Sequence, residues 1–150
     1  MRQLQINNCR LTIDNYCSLN LPPLFCNLMT PDTLEERLLD FGAAICAGLR
    51  RMPSDLVGTH LARQLVRSAT SPAANCAEAR SAESPRDFVH KMRICLKELR
   101  ETSVWLRLAA RAGAGRIGSE PLAKECRELI AIFVTSIHTA RSLRASRRRC

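Results

Sequence analysis

Between Phe88 and Ala109 the chain places apolar or small residues at alternating steps of four and three: Phe88, Met92, Cys95, Leu99, Thr102, Leu106 and Ala109. A strand repeats its facing every two residues and cannot align such a set. A helix of 3.6 residues per turn puts it on one side. Val89, Leu96, Ser103 and Ala110 add a second seam and widen the stripe to what a bundle core needs. Ser84 suits the N-cap, Pro85 the first helical position, and Asp87 the positive end of the helix dipole. The run Ala112-Gly113-Ala114-Gly115 ends the helix.

Three further segments carry the same rhythm. The first helix starts after Met29, with Thr30 as N-cap and Pro31 in the first turn. It turns Leu34, Leu38, Phe41, Ile45, Gly48 and Met52 inward, Arg50-Arg51 suit its C-terminal end, and Pro53 stops it. The second begins near Ser54 and turns Leu61, Leu65, Ala69, Ala73 and Cys76 inward, with a kink expected at Pro72. Residues Ala79 to Glu83 form the next turn. The fourth starts around Pro121 and turns Leu122, Cys126, Leu129, Phe133, Ser136, Ala140 and Leu143 inward, supported by Ile130 and Ile137.

Four amphipathic helices joined by short turns predict an all-α fold, an antiparallel up-down four-helix bundle. Aromatic residues are 4% of the chain, so the core is aliphatic and Ala-rich, which favours close-packed helices over a β-sandwich. The bundle domain is expected over 29–145, followed by a basic tail at 146–150. Residues 1–28 hold Cys9, Cys17, Cys26, several asparagines and Pro22-Pro23 without helical period. They are expected to be disordered, or to lie upstream of a true start at Met29. No apolar run reaches the roughly 18–20 residues that span a bilayer. No basic start leads into an apolar stretch as in a signal peptide. The expected setting is therefore the cytoplasm, with no membrane partner.

The residues that carry chemistry elsewhere are scattered here. The eight cysteines include no C-x-x-C pair, and His60, His90 and His138 are far from one another in sequence. The cysteines are expected to be free thiols, with Cys95 and Cys126 as small core residues. Glu98 and Glu101 share one side of the third helix, but Lys91, Lys97 and other nearby cations make them surface ion pairs at i,i+3 and i,i+4 rather than a catalytic dyad. No enzyme, no metal and no cofactor is expected.

Charge is the most informative feature. The formal net charge is +9, and the last ten residues contribute Arg141, Arg144, Arg147, Arg148 and Arg149 without an acid. On the third helix Arg86, His90, Arg93, Lys97, Arg100, Arg107 and Arg111 recur at four-three spacing, interrupted by Val104, and fall opposite the Phe88–Ala109 seam. Clustered Lys and Arg gain affinity for phosphates by releasing counterions. Arg86, Arg93, Lys97, Arg100, Arg107 and Arg111, with Arg147, Arg148 and Arg149 of the tail, are the candidate nucleic-acid contacts for DNA or RNA. Without interleaved aromatics to stack on bases, such binding is backbone-directed. The alternative is a protein-interaction scaffold: the stripe is then a solvated face, or one that pairs with Glu35, Glu36 and Asp40 on the first helix of another subunit. Trp105 lies outside the main seam and is a candidate anchor of a homo-oligomeric interface.

Several motifs agree in order with one bacterial family. They are Ser71-Pro72-Ala73-Ala74-Asn75, Ala77-Glu78-Ala79-Arg80 and Ala82-Glu83-Ser84. Asp87-Phe88, His90-Lys91, Leu96-Lys97-Glu98-Leu99-Arg100-Glu101-Thr102 and Trp105-Leu106 follow. Over roughly residues 29–142 the chain resembles the four-helix-bundle proteins encoded in 23S rRNA intervening sequences. Ala79 departs from the glycine expected at that position and would extend the second helix by a turn. The resemblance implies an antiparallel bundle, assembly into a homopentameric ring, and no established enzymatic activity. Accessory proteins of diversity-generating retroelements share the fold and bind a reverse transcriptase and nucleic acid, so the likeness adds a reverse transcriptase or another nucleic-acid enzyme as partner. Pro72, Asn75 and Glu78 match family positions. They are read as structural, either fixing helix register or satisfying backbone groups freed near the proline.

Overall fold

The computed structural model describes residues 31–147, apart from the side chains of 31, 115, 116 and 143–147. Four helices make up the fold: α1 (Pro31–Leu49), α2 (Leu56–Arg80), α3 (Pro85–Arg111) and α4 (Glu120–Arg147), with a 3₁₀ turn at Gly115–Gly118 before α4. The described residues contain no strand. The expected N-terminal extension, the Thr30 cap, Arg148 and Arg149 lie outside the described residues. Because α4 continues through Arg147, a domain boundary after residue 145 would cut that helix.

α3 is the central helix. It packs mainly on α2 and α4, while α1 packs mainly on α2. Its whole predicted seam, Phe88 to Ala109, is buried. Leu34, Leu38, Phe41 and Ile45 of α1 meet it, with Leu61, Leu65, Ala69, Ala73 and Cys76 of α2 and Cys126, Leu129, Phe133, Ile137 and Ala140 of α4. The second α3 seam is shallower: Val89 is buried, Leu96 and Ser103 are half-buried, and Ala110 is exposed.

Local chemistry sets the helix ends. Ser84 Oγ accepts from the Asp87 amide at 3.1 Å, the expected cap of α3. At the other end Ala112 is the cap, Gly113 takes φ 65°, and the Ala114 amide reaches the Ala109 carbonyl at 3.0 Å. This is a Schellman motif, whose left-handed residue glycine fills without strain. Asp55 caps α2, its carboxylate accepting from the Gly58 amide at 2.7 Å. α1 stops at Leu49, earlier than expected: the amides of Arg51 and Met52 bond three residues back, so Arg50 and Arg51 belong to the turn. α2 runs unbroken through Pro72 to Arg80, and Ala79 is a buried residue of that helix rather than part of the turn.

Two features were not expected from the periodic segments. Ile117, alone in the 3₁₀ turn, is buried in the core and lies under Gly48 of α1. Thr102 and Ser68 are wholly buried polar residues of α3 and α2, and their hydroxyl oxygens lie 2.9 Å apart.

Candidate nucleic-acid interface

The α3 periodicity that buries Phe88 to Ala109 turns the opposite side to solvent. Arg86, His90, Arg93, Lys97, Arg100, Arg107 and Arg111 are all exposed. Arg86 and Arg111 are separated by about 38 Å at 1.5 Å per helical residue. Among the described residues none of the seven forms an ion pair; the cations that do are Arg37, Arg67, Arg80, Lys91, Lys124 and Arg127.

The acids are drawn to other sides of the bundle. Arg37 of α1 clasps Glu125 and Glu128 of α4, and its Nη2 lies 2.8 Å from Glu125 Oε2. Arg80 of α2 reaches back to Asp32 at 2.6 Å and Glu35 at 3.0 Å on α1. Glu35 is thus engaged within its own chain. Glu36 and Asp40 remain exposed on α1 and are in no ion pair among the described residues.

Glu98 and Glu101 do not make the expected pairs along α3. Both meet Arg67 of α2, Glu98 at 3.5 Å and Glu101 more closely. They lie on the α2 side of the helix, and neither Lys97 nor Arg100 forms an ion pair with them. Glu98 is 7% exposed, so it bridges helices rather than decorating a surface. The Trp105 indole N–H, 3.2 Å from Glu101 Oε1, and then Arg67 hold the Glu101 carboxyl below its ordinary range.

Trp105 is half-buried and engaged within the chain. Besides Glu101, its ring meets His60 of α2 edge-on, with centroids 5.7 Å apart. Pro72 is buried, and its carbonyl accepts the Cys95 thiol at 3.4 Å. The Asn75 amide donates to the carbonyl of Ser71 at 3.0 Å, one turn back beside Pro72. Glu78 caps nothing; it is exposed and pairs with Lys91, joining the end of α2 to the start of α3.

Among the described residues, no group of three or more His, Cys, Asp and Glu could hold a metal ion. No described helix is long and apolar enough to cross a membrane. Cys76, Cys95 and Cys126 are buried free thiols. Burial pushes Cys76 up to about 11, Cys126 up to about 12, and Cys95 further in the same direction. Cys95 and Cys126 are core residues as expected.

The basic face extends onto α4. Arg141 joins Arg86, Val89, His90 and Arg93 in lining a cleft of about 340 Å³ between the two helices. Periodicity within one helix could not reveal it, because Arg141 is 48 residues from Arg93 in the chain.

The family model for 23S rRNA-intervening sequence proteins matches residues 36–135, more than half of the chain. The chain belongs to that family. The match spans most of the described helices and includes the whole basic row of α3, while Arg141 lies beyond it. Among solved structures, the chain is similar to a crystal structure of a protein with unknown function from the S23 ribosomal protein family of Bacteroides thetaiotaomicron VPI-5482. Identity to it is 30%, covering 73% of this chain and 99% of that one, with a TM-score of 0.63. No curated protein matches this chain. Membership of the family fits the bundle architecture and brings no established activity with it.

Proposed function

We propose that this protein is a non-enzymatic, cytoplasmic, oligomeric helical bundle that binds nucleic acid, or a nucleic-acid enzyme such as a reverse transcriptase, through the exposed face of α3. One observation carries this reading: Arg86, His90, Arg93, Lys97, Arg100, Arg107 and Arg111 stand exposed and in no ion pair on one side of α3, while the acids that do form ion pairs meet other cations. Like charges aligned along a helix repel and weaken the bare fold, and a polyanion relieves that repulsion. The length of the row, about 38 Å, is close to one duplex turn of about 34–36 Å. Without stacking aromatics on the face, contact is to phosphates and tolerant of sequence. In this reading the helices run up and down as an antiparallel bundle. In the contacts between α2 and α3, α2 numbers fall as α3 numbers rise, from Glu78–Lys91 through Ser68–Thr102 to His60–Trp105, which supports that arrangement. A pentameric ring, as the family resemblance implies, would repeat the face and multiply weak contacts. Free buried thiols fit a reducing compartment.

The test is a salt titration with duplex DNA, duplex RNA and single strands. Log affinity should fall with log salt by about 0.9 per phosphate neutralised on duplex DNA. Changing Arg93, Lys97 and Arg100 to Gln should weaken binding to all sequences alike and flatten that slope. Absence of binding at about 50 mM salt, where such contacts are strongest, rejects the reading. The scaffold alternative is favoured by exposed Leu39 beside unpaired Glu36 and Asp40 on α1. It predicts that Glu36→Lys and Asp40→Lys alter the oligomer mass by light scattering.

A further inference from the structure

The basic face is not uniform. From Lys97 to Arg111 it is a convex row on one helix, where each cation faces open solvent. At its α3 N-terminal end it becomes concave: Arg86, His90 and Arg93 recur at successive turns of α3, and Arg141 closes the cleft from α4. The cleft holds about 340 Å³, its lining includes three guanidinium groups and no carboxylate, and Val89 at its floor is 8% exposed. Among the described residues none of the three arginines has an ion-pair partner. Guanidinium groups present planar forks of donors that match phosphate oxygens, and several acting together respond most strongly to the charge of the bound group. An internal phosphodiester carries one negative charge and is served by the convex row. A phosphate monoester carries about −1.5 to −2 at neutral pH, with three acceptor oxygens.

We infer that this α3–α4 cleft binds a terminal phosphate monoester, the 5′-phosphate end of a nucleic-acid strand. Arg86, Arg93 and Arg141 neutralise it, and the His90 imidazole N–H donates to a further oxygen. The inference rests on the nucleic-acid reading of the α3 face and adds to it the recognition of an end. The convex row then tracks the internal phosphates away from the cleft.

The experiment compares two strands of identical sequence, one 5′-phosphorylated and one 5′-hydroxyl, each labelled at the 3′ end and titrated by fluorescence anisotropy against the full chain. Exposed charge contacts contribute a few-fold each, so the phosphorylated strand should bind about tenfold tighter. Arg141→Gln should abolish that ratio, whereas Arg107→Gln with Arg111→Gln should weaken both strands and preserve it. All three side chains are exposed, so circular dichroism should find these variants folded. Equal affinity of the wild type for both strands overturns the cleft assignment and leaves the basic-face reading intact. Failure to bind either strand overturns both. Adenosine 5′-monophosphate binding as tightly as the phosphorylated strand shows that the cleft takes a free nucleotide, and overturns the assignment to a strand end.

Discussion

Ser68 and Thr102 offer a quantitative test of the α2–α3 contact. Both are 0% exposed, and Thr102 Oγ1 lies 2.9 Å from Ser68 Oγ and 2.9 Å from the Glu98 carbonyl oxygen. A hydroxyl has one proton, so with Thr102 donating to that carbonyl, Ser68 donates to Thr102. Thr102→Val keeps the shape but strands the Ser68 hydroxyl in the core, at a cost of about 2 kcal/mol. Ser68→Ala removes one donor and leaves Thr102 its bond along α3, at about 1 kcal/mol. If the two effects were independent, the double variant would lose about 3 kcal/mol. Replacing both partners by apolar groups leaves no stranded donor, so the expected loss is about 1 kcal/mol and the coupling about 2 kcal/mol. The assay is urea unfolding at fixed chain concentration, accepted only where the slope with denaturant is unchanged. Additivity of the two losses to within about 0.5 kcal/mol would falsify the pairing. A Thr102→Val loss below about 0.5 kcal/mol also refutes it, because Ser68 has then turned to a carbonyl of its own helix.

Four other outcomes are expected. Gly118→Ala puts a Cβ 2.5 Å from Ala110 Cβ and 2.7 Å from its Cα, so the 3₁₀ turn must shift from α3; thermal unfolding should register a loss of about 1–3 kcal/mol. Brief alkylation of the folded chain, mapped by mass spectrometry, should label half-buried Cys46 well before Cys76, Cys95 and Cys126. The same buried thiols make the fold alkali-sensitive. An unfolded thiol ionises near 9.0 while folded Cys76 holds its proton to about 11, so stability is full below about pH 9 and falls as pH rises toward 11. Melting temperatures against pH check this, and Cys76→Ala should shallow the fall. Finally, changing Arg93, Lys97 and Arg100 to Gln should leave stability in urea within about 0.5 kcal/mol of the parent or slightly above it, since each is exposed and repels its neighbours.

What sequence could reveal here was whatever lies within one helix. The α3 seam, its Ser84 cap and its glycine stop all follow from residues a few positions apart, and the basic row follows from the same period. Relations between helices were invisible. Arg67 takes Glu98 and Glu101 across more than thirty positions, and its preference over nearer cations depends on which side of α3 faces α2. Arg141 joins the cleft only once α4 has packed. Ile117 stands alone in a glycine-flanked turn with no periodic neighbours, so nothing marked it as core. The helix ends moved by small amounts for local reasons: the Asp55 carboxylate took the cap of α2, and Ala79 helped carry α2 onward where glycine would have favoured an earlier stop.

The buried Ile117 also bears on how copies of this chain can associate. Exchange of α4 between two molecules would require the connection after α3 to open into a hinge. Opening it would withdraw Ile117 from beneath Gly48, separate Gly118 from its seat on Ala110, and undo the Gly113 turn. The segment therefore acts as a wedge, held at both ends and in the middle. Domain swapping through α4 is disfavoured, and any assembly is expected to join intact bundles side by side, each keeping its own basic face and its own cleft.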